Sequence, residues 1–458
     1  MLGIKNKIKK MFSKFYTFDE EFKRVNPIFD MRFLDKKIGE YASSIISCPV
    51  VVPVLNQNNI AFLASEIWDT GGHTGLLNNT MQAFPSTFKR KLFLTKKTLL
   101  MQRASVRVSS IEGHSEIDGV DFYSKNIVFE KFILKKLLNK ILEFSPTLLI
   151  VFIHFDSFAV GLLALLKKYT HIKIIFCNHS TQHSVLGMSF AHLIWECMSS
   201  TAFVTQKYRG FRNTYTAGIC YLKKEQFPVF SEREILNARQ ELGVPEDSYC
   251  TMTGCNSYKL FDGNSSPYLE MIKKILEQNE NLWHVLITCF NEDQKKIFEE
   301  INMPNRFVLL SPKTNYKVYF KCADVFIDSI PFASANTIID LMSLKVPVVA
   351  YKNKDNLIFS FHEYLPSNYS YLFENTCDVQ AGVEKLLFNE NERKRIANEN
   401  YEYLLKNFEG NTVTQKLLEA NSFDSEINEN QYKNFKEIKL LPWGKRMYLP
   451  HKKKGLTN

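Results

Sequence analysis

The chain has 458 residues, 45% hydrophobic and 23% charged, with a formal net charge of +10. That length favours two domains over one compact core, and the apolar content excludes a disordered chain. No run reaches the roughly 18 uninterrupted apolar residues of a spanning helix. The nine irregularly spaced cysteines include no CxxC pair, and the basic residues form no motif with interleaved aromatics, which argues against a zinc framework and against nucleic-acid binding.

The opening "MLGIKNKIKKMFSKFYTF" places Ile4, Ile8, Met11, Phe12 and Phe15 at helical spacing, with Lys5, Lys7, Lys9, Lys10 and Lys14 around them. Two readings stand side by side. Residues 1–18 lie on an anionic membrane surface, or the stripe packs on the chain's own domain. The stretch lacks the long apolar core and small-residue cleavage site of a secretory signal. Cysteines inside apolar runs fit reduced thiols, and the Lys, Asn, Phe, Tyr and Ile bias fits a bacterial source. The expected location is cytoplasmic, peripheral on the inner face of the membrane.

Strand-like runs then alternate with helical patterns: "NIAFLAS", "KLFLT", "TLLIVFIHF", "KIIFCNHS" and "TAFVTQ". After a polar connection at residues 227–232 the pattern restarts with the helix "SEREILNARQEL". The strands "SYCTMTGCN", "LWHVLITCF", "RFVLLSP", "DVFIDSI" and "VPVVAY" follow. Alternation of this kind means parallel strands joined by crossover helices, an α/β fold with two sheets. From Asp378 the pattern is helical and charged, and 411–420 reads as another helix. The predicted domains are a basic amphipathic leader at 1–24, a first Rossmann-like domain at 25–226, a second at 227–420 and a solvated basic tail at 421–458.

Ligands of open parallel sheets bind beyond the carboxyl ends of the strands. At "IDSIPFASANTIIDLMSLKVPVVA" a strand turns into a helix through Ser334, Ala335, Asn336 and Thr337. Free backbone donors at such a helix start suit a phosphate, and Ser or Asn there also serve as ordinary caps. "NSYKLFDG" puts Asn256 and Lys259 beyond another strand of the same sheet, where a cation neutralises phosphate charge.

Histidines gather at strand ends in the first half. His73 follows Gly71 and Gly72, which permit a tight turn; "IHFDS" gives His154 and Asp156, and "CNHSTQHS" gives His179 and His183. Neutral imidazole suits a general base, so His154, His73 and His179 are the catalytic candidates, with Asp156 as base or orienter. The rival is a metal site: His179 and His183 are spaced to share a helix face, but no third ligand stands at a defined spacing. No metal is expected.

"YCTMTGCNSYKL" together with "RFVLLSPKTNYKVYFKCADVFIDSIPFASANTIIDLMSLKVPVVA" resembles the donor-binding domain of GT-B glycosyltransferases. It is most similar to the O-linked N-acetylglucosamine transferase family and its bacterial protein-glucosyltransferase relatives. The resemblance implies two Rossmann-like domains facing a central cleft, the first for the acceptor and the second for the donor. It places Lys259 on the donor diphosphate, Asn336 and Thr337 in the phosphate loop and Asp340 on the nucleotide ribose. "GGH" (Gly71, Gly72, His73) is similar to the first-loop pattern of many GT-B transferases.

Ala335 stands where that family has a histidine, and the tetratricopeptide array that recognises protein acceptors is absent. Retaining members carry an acidic pair, but the position eight before Asp340 is Phe332, which favours inversion. The resemblance implies a diphosphate stabilised without an obligatory metal. The expected reaction is transfer from a nucleotide sugar, UDP-linked, to a bacterial surface-glycan or lipid-linked acceptor. Alternatives are a transferase acting on protein side chains, a nucleotide-sugar epimerase, and a non-catalytic sugar-nucleotide-binding partner.

Overall fold

The computed structural model describes residues 14–25, 29–46, 54–67, 72–96, 115–119, 130–179, 183–262, 265–290, 292–299, 305–312, 315–355, 357, 361–420 and 432. They divide into two compact units, 14–223 with 410–420 and 224–409 with 432. Residues 1–13, and with them the leader's Ile4, Ile8, Met11, Phe12 and first four lysines, lie outside the described residues. So do Gly71 and the tail from 421 except Tyr432.

The first unit begins with α1 (Lys14–Val25) and α2 (Arg32–Ile45). Phe15, Phe18 and Phe22 are buried in the core, so the described part of the leader's apolar stripe packs on its own domain. Each buried ring contributes about 1.5–3 kcal/mol. Polar bonds fix its position: Phe15 N–H donates to the buried Glu130 (3.1 Å), and Ser157 Oγ donates to Phe15 O (2.6 Å). A Cβ at Gly161 would lie 2.7 Å from the Phe15 ring, so only glycine lets the ring seat there.

Seven strands follow: β1 (Asn56–Ala64), β2 (Lys89–Leu94), β3 (Ser115–Gly119), β4 (Pro146–Phe152), β5 (Lys173–Asn178), β6 (Leu193–Glu196) and β7 (Thr214–Thr216). Their order is β3-β2-β1-β4-β5-β6-β7, with every pairing parallel. Between them run α3 (Gly72–Ala83), α4 (Glu130–Phe144), α5 (Ser157–Tyr169) and α6 (Ser199–Tyr208). Residues 59–64 of β1 and 148–152 of β4 are buried without alternation, as expected of strands covered on both faces.

Sequence and structure part at "TAFVTQ", predicted as a strand. It lies inside α6, and the strand of that region is "LIWE", β6. Residues 200–205 are buried in succession. A helix apolar all round has the same composition as a buried strand, and six residues carry no period to separate them. Thr201 Oγ1 donates to Met198 O (2.8 Å) and Met198 N–H to Thr201 Oγ1 (3.3 Å), closing the first turn.

The second unit starts with α7 (Glu232–Glu241), where Ser231 and Glu234 form a capping box. Its six strands are β8 (Tyr249–Asn256), β9 (Leu282–Cys289), β10 (Phe307–Leu310), β11 (Val325–Ile327), β12 (Val348–Tyr351) and β13 (Leu372–Phe373). Their order is β10-β9-β8-β11-β12-β13, again all parallel. The helices are α8 (Pro267–Gln278), α9 (Glu292–Glu299), α10 (Tyr316–Lys321), α11 (Asn336–Ser343), α12 (Thr376–Phe388) and α13 (Glu390–Asn407). The predicted strand "DVFIDSI" shortens to Val325–Ile327, and β13 has no counterpart in the prediction.

The last described helix, α14 (Gly410–Glu419), belongs to the first unit, which corrects the predicted second domain of 227–420. Gly410 N–H donates to Leu222 O (3.2 Å), and Lys173 Nζ to Ala420 O (2.7 Å). A Cβ at Gly410 would lie 2.7 Å from Tyr221 O and 2.8 Å from the Ala83 Cβ, so the close approach rests on glycine.

Candidate functional site

Two constellations stand at strand carboxyl ends, one in each unit. In the first, β1, β4 and β5 are neighbours, so the segments beyond their ends emerge side by side. His73 sits in the first turn of α3, His154 two residues beyond β4 and His179 directly after β5. Adjacent strands lie about 4.8 Å apart, which puts β1 and β5, on either side of β4, about twice that distance apart; the segments beyond the strand ends bring the three rings closer than that. Their centroids are 4.6 Å apart for His73–His154 and His73–His179, and 4.8 Å for His154–His179. The sheet thus brings together the three histidines that the sequence singles out.

The rings are half-buried. Burial lowers His73 to about 4 and His154 to about 3; the nearby charges of His73, His183 and Lys96 add to the effect at His154. Burial also carries His179 well below the ordinary range, with His73 and His154 contributing. All three are neutral at pH 7.

Asp156 has another task. Its Oδ1 accepts Ala159 N–H (3.1 Å) as the cap of α5, and its Oδ2 accepts Thr95 Oγ1. Gly72 opens α3. His183 is on no described helix with His179, so that pairing does not form among the described residues.

In the second unit, Asn256 ends β8 and is exposed, and a 3-10 turn over Ser257–Leu260 carries Lys259. Lys259 Nζ donates to Ala333 O (2.8 Å), and Phe332 N–H donates to Lys259 O (3.3 Å). The lysine therefore lies against the loop that leads into α11. Burial lowers its pKa, opposed by the Cys255 and Asp328 charges.

That loop is organised by Asp328, a buried residue that sequence reasoning passed over. Its Oδ1 accepts the N–H groups of Ser329 (2.8 Å) and Ser334 (2.9 Å), and burial raises its carboxyl to about 6. Ser334 spends its backbone N–H there and pairs its hydroxyl with Ser329 Oγ (2.9 Å). A signal existed: an acid directly after an apolar strand, at the sheet's ligand-bearing edge. The predicted strand "DVFIDSI" includes it.

The predicted phosphate corner is the start of α11. Its N-cap is Ala335, with no side-chain capping bond, so the ordinary structural reading of this corner, a Ser or Asn cap, does not apply. Thr337 Oγ1 donates to Gly254 O (3.3 Å), which ties the first turn to β8, and Asn336 is half-buried. Asp340, one turn on, is buried. It pairs with Lys317 Nζ (2.7 Å) and accepts from Tyr316 OH (2.7 Å). Both partners come from α10 and were not predicted; their signal is the "NYK" at its start.

No family model matches this chain, and no curated protein matches it. Solved structures do. One is the Anabaena protein HepE in complex with UDP and glucose, with a TM-score of 0.58 and 15% identity, over 79% of this chain and 99% of that one. Another is the O-GlcNAc transferase of Thermobaculum terrenum, with a TM-score of 0.54 and 13% identity, over 86% and 74%. A third is a Listeria monocytogenes protein assigned as a UDP-N-acetylglucosamine 2-epimerase, with a TM-score of 0.53 and 12% identity, over 84% and 100%. At these identities the likeness is one of fold: the two parallel-sheet units are the GT-B fold, as the resemblance implied.

Proposed function

We propose that this chain is a glycosyltransferase that moves a sugar from a UDP-linked donor to a bacterial surface-glycan or lipid-linked acceptor, with inversion. The observation that carries this reading is Lys259 held against the loop before an uncapped helix start. A cation and free helix-end donors together suit a diphosphate. As the acceptor oxygen bonds to the anomeric carbon, the bond to the diphosphate breaks, and the charge growing on the leaving group is stabilised by Lys259 and the α11 start. This stabilisation needs no metal at the diphosphate.

Asp340, with Lys317 and Tyr316, is placed to meet a ribose hydroxyl one helical turn away. His73, His154 and His179, neutral at pH 7, are the candidates to receive the acceptor proton. HepE, which shares the fold, holds UDP and glucose, and that supports the choice of donor. The basic residues of the leader at 1–13 support an acceptor at an anionic membrane surface on the cytoplasmic side. No helix among the described residues is long and apolar enough to cross a membrane.

The test is a thermal-shift panel of nucleotides and nucleotide sugars, followed by product analysis with the stabilising donor. Selective stabilisation by UDP and one UDP-sugar, with sugar transferred to a lipid or glycan fraction, is the expected result. Stabilisation by no nucleotide overturns the reading. An epimerised nucleotide sugar, formed without acceptor, establishes instead the epimerase reading that the Listeria structure favours. Sugar found on a protein acceptor establishes the side-chain transferase.

A further inference from the structure

The imidazole cluster of the first unit carries more than a proton-acceptor role. We propose that His73, His154 and His179 form a binding site for one divalent metal ion of the zinc class. The inference goes beyond the glycosyl-transfer reading and stands without it. It also departs from the sequence expectation of no metal, because the third ligand comes from a strand distant in the chain.

The first argument is placement. One ring nitrogen from each histidine lies within 4.8 Å of the other two. Tetrahedral zinc with bonds of about 2.0–2.1 Å holds its nitrogens about 3.4 Å apart. Binding then asks the three side chains to close in from within 4.8 Å to that spacing.

The second argument is tautomer. His73 Nε2 lies 3.1 Å from Phe152 O, and His179 Nδ1 lies 3.1 Å from Cys177 O. A carbonyl oxygen only accepts, so both of these nitrogens must carry the proton. The opposite nitrogens, His73 Nδ1 and His179 Nε2, are then bare lone pairs. Both are buried and have no hydrogen-bond partner among the described residues.

Buried lone pairs left without a partner are costly. A backbone carbonyl that fixes one ring nitrogen while the other stays bare is the arrangement around metal-bound histidine. A set of three neutral imidazoles selects zinc, copper, iron or nickel over magnesium and calcium, and it leaves a fourth position for water or a substrate oxygen. A bound metal would occupy the lone pairs, so a positive result also removes these histidines from the base candidates.

The test uses the full chain, stripped with chelator and titrated with Zn²⁺ by calorimetry, and with Co²⁺ by visible absorption. The expected results are one equivalent bound and cobalt ligand-field bands of a four-coordinate nitrogen and oxygen site. His73→Asn should weaken binding by about 100-fold or more, and His171→Asn, an exposed control elsewhere in the unit, should leave it unchanged. Failure of the wild type to bind one equivalent overturns the proposal. Undiminished binding by a folded His73→Asn variant does so too, and a sulfur-to-cobalt charge-transfer band would assign the metal to cysteines. If His73→Asn does not fold, the wild-type stoichiometry and cobalt spectrum decide the question.

Discussion

The corner before α11 in the second unit and the histidine cluster of the first occupy the same kind of place, the carboxyl edge of a parallel sheet, yet they are built in opposite ways. At the corner each charged group already has a protein partner: Lys259 with Ala333 O, Asp328 with two backbone N–H groups, Asp340 with Lys317 and Tyr316. At the cluster, His73 Nδ1 and His179 Nε2 are buried with no hydrogen-bond partner among the described residues. A ligand at the corner replaces existing bonds, so the corner holds its shape without one. A ligand at the cluster makes bonds that nothing else makes, which is why the two sites should differ in what stabilises them.

Substitutions that touch one region and spare the other sharpen this contrast. The largest effect is expected at Phe15, whose ring fills the gap over Gly161 on α5, the helix that follows His154. Phe15→Ala should lower unfolding free energy by about 3–5 kcal/mol, measured by urea denaturation. UDP affinity under native conditions should persist; its loss in parallel would show that the two regions are not separately supported.

Lys259→Ala should reduce sugar transfer by about 100-fold or more and abolish the UDP-dependent thermal shift. The midpoint of the ligand-free protein should stay level or rise, because a partly desolvated cation is removed. A retained thermal shift with UDP would detach the donor site from this lysine.

Asp328 gives a pH signature. Its carboxyl, at about 6 in the folded chain against 3.8 in the unfolded one, binds its proton more tightly when folded. That contribution to stability is present below 3.8 and is lost as pH rises through 6. Asp328→Asn keeps an oxygen for Ser329 and Ser334 but cannot ionise. Between pH 4 and 7 the variant should therefore gain about 2 kcal/mol on the wild type, read from denaturation curves at the two pH values. A constant difference would mean the wild-type carboxyl is ionised throughout.

The smallest effect is expected at Asp340. Asp340→Asn breaks the pair with Lys317, and UDP should bind about tenfold more weakly, roughly 1.4 kcal/mol. Inorganic pyrophosphate should bind as before, since it has no ribose. Equal weakening of both ligands would place Asp340 in the diphosphate site.

Most strands were legible because buried parallel strands are short apolar runs bounded by polar turns, as "KIIFCNHS" shows for β5. β6 was not, since Glu196 breaks its run. That carboxylate is buried, with Asn178 Nδ2 at 3.0 and 2.9 Å from its two oxygens, a partnership no local pattern announces. Lys259, Asn336, Thr337 and Asp340 were proposed from the sequence because a motif lies in one stretch of chain and can be matched there. Asp328 escaped because its role, bonding Ser334 across a loop, exists only once the loop is folded.

The sequence alone determined the alternation of strands and helices, the two-sheet architecture and the identity of the histidines beyond three strands, because periodicity and composition are local properties. Tertiary structure decided the rest. Strand order put β1, β4 and β5 side by side, and the segments beyond their ends bring the rings of residues 73, 154 and 179 to 4.6–4.8 Å from one another. Packing at Gly161 turned part of a membrane-like leader into core, and the contacts of Gly410 returned the last helix to the first unit. Which residues become neighbours is set by hydrogen-bonded pairing and burial across the whole chain, and no local stretch of residues encodes that.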